Sequence, residues 1–249
     1  VALCNFLFFI LFAKTGENIE LTYNIGSWVP PIGIEYKVDS LNIIFLFLIN
    51  IIALFLLPFA RKSVANEITQ KKIPLFYCLF LLCYAGLLGI SVSNDIFNIY
   101  VFLEISSLAT YTLISLGRDR RALTSAFSYL ILGTIGATFI LIAIGFLYIL
   151  TGSLNLTDIA NQISGMNDSP LVVVSFAFLT IGVVLKLGIF PLHIWLTNAY
   201  AYSPSFVSAF IASVATKVSL YIFLRFCYSL FGYDFSFIEM PVTQVLGIL

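Results

Sequence analysis

The sequence predicts an all-α, polytopic membrane protein, and three observations carry that expectation. The 249 residues are 61% hydrophobic and only 10% charged, and the mean hydropathy of +1.06 lies far above that of a water-soluble domain. The apolar residues gather into runs long enough to cross a bilayer, which takes roughly 20 mostly apolar residues in a helix. Between the runs stand segments rich in helix breakers, such as GSWVPPIG, TGSLNLTD and SGMNDSP.

Taken in order, the charge-poor runs give about seven spans within one membrane domain over residues 1–249. The first, 1–13 (VALCNFLFFILFA), has no basic leader and no small-residue cleavage site, so it reads as a truncated span and not as a signal peptide. The second, 39–60, ends where Arg61 and Lys62 begin a basic loop. Spans 73–93 and 95–117 are separated only by the turn SVSND, and 122–150 follows the basic turn GRDRR. LNLTDIANQI, after that span, fits a short interfacial helix. Spans 170–192 and 204–231 complete the set. The chain opens at Val1 inside an apolar run and closes on VTQVLGIL, which resembles the first turns of a further span. The expectation is a piece of a larger integral membrane protein.

Lysine and arginine in the loops orient the spans. RKSVANEITQKK carries four basic residues and GRDRR three, while SVSND and 151–170 carry none. Alternation then places 61–72, 117–121 and 191–204 in the cytoplasm, and 14–38, 92–95, 151–170 and 232–240 outside.

Twelve basic and twelve acidic residues leave no formal net charge, so nucleic acid is excluded as a partner for want of a basic face. Cys4, Cys78, Cys83 and Cys227 all lie in apolar runs, with no CxxC spacing and no neighbouring histidine. They read as small buried hydrophobes, with no metal site and no disulfide framework.

Three charges fall deep inside spans: Glu104 in FNIYVFLEISSLATY, Lys186 in VVLKLGIFP and Lys217 in SAFIASVATKVSLYIFLR. Unpaired, they would together cost on the order of 8 to 10 kcal/mol, summing insertion values. They are therefore expected to face a polar interior and one another. An inert Glu104–Lys186 lock is the competing reading, but buried pairs stabilise poorly because desolvation offsets attraction. A row of titratable groups fits better, with lysines able to lose a proton on burial and tuned by Glu104. Ser213, Thr216 and Ser219 around Lys217 could admit water. Arg225, toward the outer end of its span, is expected to snorkel. Asp95 is expected to cap a helix start.

KLGIFPLHIWL adds a helix break. Gly188 and Pro191 follow Lys186 closely, and Pro191 removes a backbone donor and crowds the preceding turn. His193, the only histidine of the chain, lies just past the break and is a candidate for proton transfer or water ordering. Gly133, Gly136 and Ala137 suit close helix packing, and Thr134 and Thr138 beside them could order water.

Together these residues resemble the large antiporter-like membrane subunits shared by respiratory complex I, membrane-bound hydrogenases and multisubunit cation/proton antiporters. The resemblance is most specific in VFLEISSLATY and in KLGIFPLHIWLTNAYAYSPSFVSAFIASVATKVSLYIFLR. It implies that Glu104 is the family's buried glutamate, Lys186 and Lys217 its two N-half lysines, and His193 the histidine of FPLHxWLP. Asp39, in YKVDSLNIIF, looks like the family's Asp-x-Leu helix start. The implied fold is the N-terminal half of an inverted-repeat transporter, with a discontinuous helix near Pro191.

The chain departs from the family where WLPDAH is usual. It reads WLTNAY, so Thr197, Asn198 and Tyr200 replace a proline, an acid and a second histidine. NAYAYSPS and GRDRRALTSAFSYLILGTIGATF look closer to the sodium/proton antiporter branch of the family than to its complex I branch. The implied function is a proton-translocating subunit of a multisubunit monovalent cation/proton antiporter in a bacterial inner membrane. Its partners are other membrane subunits, the lipid bilayer, protons and in one version sodium ions. Lys217 would be the central carrier, Lys186 its exchange partner, Glu104 the modulating charge and His193 the link to the cytoplasm. No flavin, haem or iron–sulfur motif is present, so no cofactor is expected and redox chemistry would belong to partner subunits. The same machinery inside complex I or a membrane-bound hydrogenase, the former also in an organellar inner membrane, is the alternative. A non-transporting scaffold is a further one.

Overall fold

The computed structural model describes residues 20–166, 169–232, 235–237, 240, 241, 244 and 247. The first expected span, 1–13, and Cys4 lie outside them. Among the described residues six helices are long and apolar enough to cross a membrane. They are α1 (Ser40–Glu67), α2 (Ile73–Val92), α3 (Ile96–Ser115), α4 (Arg120–Thr151), α6 (Pro170–Leu187) and α8 (Ser205–Leu230). Two shorter helices interrupt the series, α5 (Leu156–Ile163), where a short interfacial helix was expected, and α7 (Ile194–Tyr202).

Local chemistry sets most boundaries. Asp39 caps α1 by accepting from the amides of Leu41 and Asn42, each at 3.1 Å. Asp95 caps α3 through the amide of Asn98 at 2.7 Å, the role expected of it. Asp119 and Asn155 do the same for α4 and α5. Each such cap satisfies an otherwise orphaned N–H and contributes about 1 kcal/mol. Helix α1 runs to Glu67, past the expected end at 60, because RKSVANE contains no breaker and packs Ser63 and Val64 inward. The segment before α1 is also more ordered than a linker: β1 (Leu21–Asn24) and β2 (Glu35–Val38) pair as an antiparallel hairpin.

The helices pack through small residues and aromatic rings. α4 lies along α6 and α3, and α8 lies against α6, α2 and α1. Gly136 and Gly182 form a close seam between α4 and α6: a Cβ built on Gly182 would stand 2.6 Å from the Gly136 carbonyl oxygen. Gly133 makes room for the Tyr111 hydroxyl, which a Cβ there would overlap. Thr134 and Thr138, suggested to order water, point away from this seam. Both are on the exposed face, bonded to carbonyls of their own helix. Phe76, Phe80, Phe206 and Phe210 interlock α2 with the start of α8.

The loops segregate to two ends, as the charge count expects. At one end the Arg118 guanidinium donates to the Asn66 carbonyl, and the Glu67 carboxylate accepts from the Ser205 amide. At the other, the Asn94 and Asn155 side chains both donate to Glu35, at 2.7 and 2.9 Å. Asn42 there bridges the Lys37 and Ser91 carbonyls, both at 2.7 Å.

Arg225 does not snorkel. It is 6% exposed, with Nη1 at 2.6 Å from Asp39 Oδ2 and Nη2 at 3.1 Å from Asn42 Oδ1. A carboxylate brought in by the start of α1 keeps the guanidinium inside the bundle. Of the cysteines described, Cys83 and Cys227 are buried as expected, while Cys78 is exposed on α2.

Candidate functional site

The centre of the bundle holds an ion pair. Lys186, on the last turn of α6, is 4% exposed, and its Nζ lies 3.2 Å from Glu104 Oε1 on α3. The ammonium also donates to Ser107 Oγ at 2.9 Å and to the Tyr111 hydroxyl at 3.3 Å. All three partners sit on α3 at helical spacing, 104, 107 and 111, so one face of a single helix cradles the lysine. Three acceptors match the three N–H donors of an ammonium, which keeps the charge tolerable there. Glu104 is less enclosed, with its side chain 21% exposed.

The helix carrying Lys186 stops directly beyond it. Gly188 takes the left-handed conformation at φ 70° and closes α6, a position that disfavours residues with a Cβ. The segment through Pro191 is non-helical, and α7 starts at Ile194. The break leaves carbonyls without helical partners, and Trp195 answers one: its indole N–H donates to the Leu185 carbonyl at 2.9 Å. The discontinuous helix expected at Pro191 is present.

His193 stands at the start of α7, half-buried, with its ring centroid 5.8 Å from that of Phe190. Its buried Nδ1 has no hydrogen-bond partner among the described residues. The structure does not bring it onto either lysine.

Lys217 departs from expectation. It does not face Lys186; it lies on the exposed side of α8 and turns back onto its own helix, with Nζ 2.5 Å from the Ala212 carbonyl and 3.4 Å from Thr216 Oγ1. The reason is local. Ile211–Ala215 is a π-helical segment, whose wider turn displaces backbone carbonyls from regular pairing, and the ammonium satisfies one of them. The Ser213, Thr216 and Ser219 hydroxyls each bond a carbonyl of the same helix. On the inner side of α8, a cavity of about 20 Å³ touches Lys186, Ser107, Thr110, Tyr129 and Ser219. That is room for about one water.

Tyrosines around the pair were not singled out from the sequence. Tyr111 and Tyr129 are 5% and 6% exposed, edge to face at 4.5 Å between ring centroids. Tyr129 stacks on Trp195 at 3.8 Å. Only the spacing of Tyr111 from Glu104 on one helix face could have pointed to it.

The structure thus defines a polytopic helical membrane protein with a broken helix and a carboxylate–lysine pair enclosed beside the break. Residues 93–248 match the transmembrane family of NADH:quinone oxidoreductases and Mrp antiporters, and the chain belongs to that family. It is 44% identical over 225 residues to NADH-quinone oxidoreductase subunit N of Desulforudis audaxviator, covering 90% of this chain and 44% of that protein. It is 31% identical over 234 residues to a Na(+)/H(+) antiporter subunit of Bacillus subtilis, covering 92% of this chain and 47% of that protein. Its fold matches a chain of the membrane-bound sulfane sulfur reductase, an archaeal respiratory membrane complex. The TM-score is 0.87 at 28% identity, over 99% of this chain and 48% of that one. The chain therefore spans about half the length of the relatives it matches.

Proposed function

We propose that this chain is the N-terminal half, carrying Lys186 and Lys217, of a proton-translocating, antiporter-like subunit within a multisubunit complex of a bacterial inner membrane. The observation that carries the reading is the Lys186–Glu104 pair at 3.2 Å, enclosed by helices and set one residue before a helix end. A lysine held there can gain or lose a proton with little change of shape. A nearby carboxylate sets how readily it does so. Lys186 exchanges protons with Lys217, Glu104 biases that exchange, and His193 with the broken segment at Gly188 and Pro191 serves the cytoplasmic side. The end of the bundle with 61–72 and 117–121 faces the cytoplasm, consistent with its basic loops. The seven spans then form one membrane domain, half of an inverted repeat.

Two energy sources suit the same machinery. In the first, a monovalent cation gradient, sodium included, is exchanged for protons, as the likeness to a Na(+)/H(+) antiporter subunit supports. In the second, quinone reduction in partner subunits drives the lysines. The higher identity to the oxidoreductase relative, 44% against 31%, favours that branch. Proteoliposomes holding the full-length protein in its complex separate them. Proton flux that needs a sodium gradient supports the first, and flux that needs quinone turnover the second. Flux that survives neutralisation of both Lys186 and Lys217 overturns the proton-carrying reading and leaves a scaffold.

A further inference from the structure

We infer that the groove between α1 and α2 takes one acyl chain of an anionic phospholipid, with the lipid phosphate held by Arg61 and Lys72 at the basic end of the groove. The inference goes beyond the proton-carrying reading and does not depend on it.

α1 and α2 are consecutive spans, yet they do not close on one another along their whole length. A cavity of about 190 Å³ separates them. Ala53, Leu54 and Leu57 of α1 form one wall, and Tyr77, Phe80 and Leu81 of α2 the other. Its deep end is closed by a hydrogen bond across the gap, from the Tyr84 hydroxyl to Asn50 Oδ1 at 2.5 Å. Asn50 Nδ2 donates to the Leu46 carbonyl at 2.7 Å. The polar atoms of the floor thus satisfy one another, and an occupant meets an apolar slot. Leu54 and Leu81 on the rim are 59% and 60% exposed. In a pair of spans that rim meets hydrocarbon, so the occupant comes from the bilayer, and a lipid chain is what the bilayer supplies.

The other end of the groove runs into the basic loop. Asn50, Ala53, Leu54, Leu57 and Arg61 follow a spacing of three and four residues, so they share one face of α1. Arg61 stands roughly 6 Å beyond Leu57 along the axis. Lys72 stands immediately before α2, on the approach to Tyr77. Arg61, Lys62, Lys71 and Lys72 are all exposed, and among the described residues none has an ion-pair partner. Glu67, the one acid in 61–72, is already engaged by the Ser63 hydroxyl and the Ser205 amide. Orientation alone accounts for basic residues in this loop, but not for an apolar slot that ends among them. An anionic phospholipid matches both features: basic residues at the membrane surface attract its headgroup, and arginine forks onto phosphate oxygens. A zwitterionic lipid would carry a further cation into the cluster. Both walls also brace the start of α8, through Ser63 and Glu67 on the Phe206 and Ser205 amides and through Phe76 and Phe80 on the Phe206 ring. A chain wedged between α1 and α2 therefore steadies the helix that carries Lys217.

The test uses the full-length protein in its assembled complex, in phosphatidylcholine vesicles doped with phosphatidylglycerol that carries a photoreactive diazirine on one acyl chain. Adducts are mapped by peptide mass spectrometry, and assembly is checked for each variant. They are expected to concentrate on Leu54, Leu57, Tyr77 and Leu81. Unlabelled phosphatidylglycerol should displace the probe at roughly tenfold lower concentration than phosphatidylcholine, and Arg61→Gln and Lys72→Gln should each weaken labelling about fivefold. Leu81→Trp, which fills the slot and keeps every charge, should remove the adducts, while Leu82→Trp should retain them. Label spread evenly over the lipid-facing helices, equal displacement by phosphatidylcholine, or unchanged labelling in Leu81→Trp overturns the inference. Displacement by water-soluble glycerol phosphate makes this a soluble-anion site and overturns it too. So does a disulfide between Cys4 and Leu54→Cys in an otherwise cysteine-free protein, which would give the groove to the expected span 1–13.

Discussion

Arg225 Nη1 and Asp39 Oδ2 lie 2.6 Å apart across 186 positions of sequence, tying the far end of α8 to the first turn of α1. Asp39 serves two partners at once, accepting from two amides of α1 through Oδ1 and from Arg225 through Oδ2. Removing one partner of a buried pair leaves the other charge uncompensated, at a cost of about 3 to 5 kcal/mol. Arg225→Met should therefore lower the thermal midpoint of the purified protein sharply, as read by tryptophan fluorescence in detergent. Arg225→Met combined with Asp39→Asn should recover part of that loss, since asparagine still caps the helix. A double variant less stable than the single would refute the pairing as the cause.

Glu104→Gln removes the charge facing Lys186 and preserves shape and hydrogen-bonding capacity. The protein should insert and assemble, yet its proton flux should fall clearly below wild type. Glu104→Asp, with shorter reach, should retain an intermediate activity. Wild-type flux in the glutamine variant would return the pair to a structural role.

Lys217→Arg separates a carrier from a fixed charge. Arginine keeps the positive charge and could still reach the Ala212 carbonyl, but it does not release its proton at accessible pH. Flux should be lost in both Lys217→Arg and Lys217→Ala, with expression unchanged. Near-normal flux in the arginine variant alone would make Lys217 a structural cation.

Gly182→Ala tests the seam between α4 and α6. The added methyl would meet the Gly136 carbonyl oxygen and Ile140 Cγ1, both at 2.6 Å, so the helices must separate. Overpacking of this kind costs about 1 to 3 kcal/mol, readable as a lower thermal midpoint. Gly145→Ala, with open space around its Cβ, should be neutral or stabilising.

Orientation is checked by cysteine labelling in an otherwise cysteine-free full-length protein. Asn66 and Asn161 are both exposed, at opposite ends of the bundle. Asn66→Cys should react with an impermeant reagent only from the cytoplasm, and Asn161→Cys only from outside. Reversed labelling would invert the topology.

Spans, break and central ion pair were legible in the sequence because each leaves a local mark: a charge-poor run, a Gly–Pro pair, a charge where hydrocarbon is expected. What escaped was set by tertiary contact. Arg225 resembles a snorkelling residue until Asp39 is seen beside it. Nothing in IASVATK marks the π-helical turn at Ile211–Ala215 just before Lys217, since hydrophobic periodicity does not encode a local widening of the helix. Tyr129 is one aromatic among many in an apolar run, and only the folded contacts with Tyr111 and Trp195 distinguish it. The hairpin before α1 was hidden because GSWVPPIG draws attention to its turn and away from the alternation on either side.

The glycine seam also limits how the central pair can operate. Gly136 and Gly182 bring two backbones into van der Waals contact, so α4 and α6 form one stiff strut and Lys186 rides on it. Sliding or rolling α6 against α4 would drive backbone into backbone, which a close-packed interior resists. Two freedoms remain: torsions along the lysine's own four-carbon stem, and travel of α3 with Glu104 against the strut. The first is a small, fast stroke, and side-chain torsions outpace collective helix movement by orders of magnitude. On the proton-exchange reading proposed above, the ion pair opens and closes by a swing of that one side chain, with the scaffold at rest.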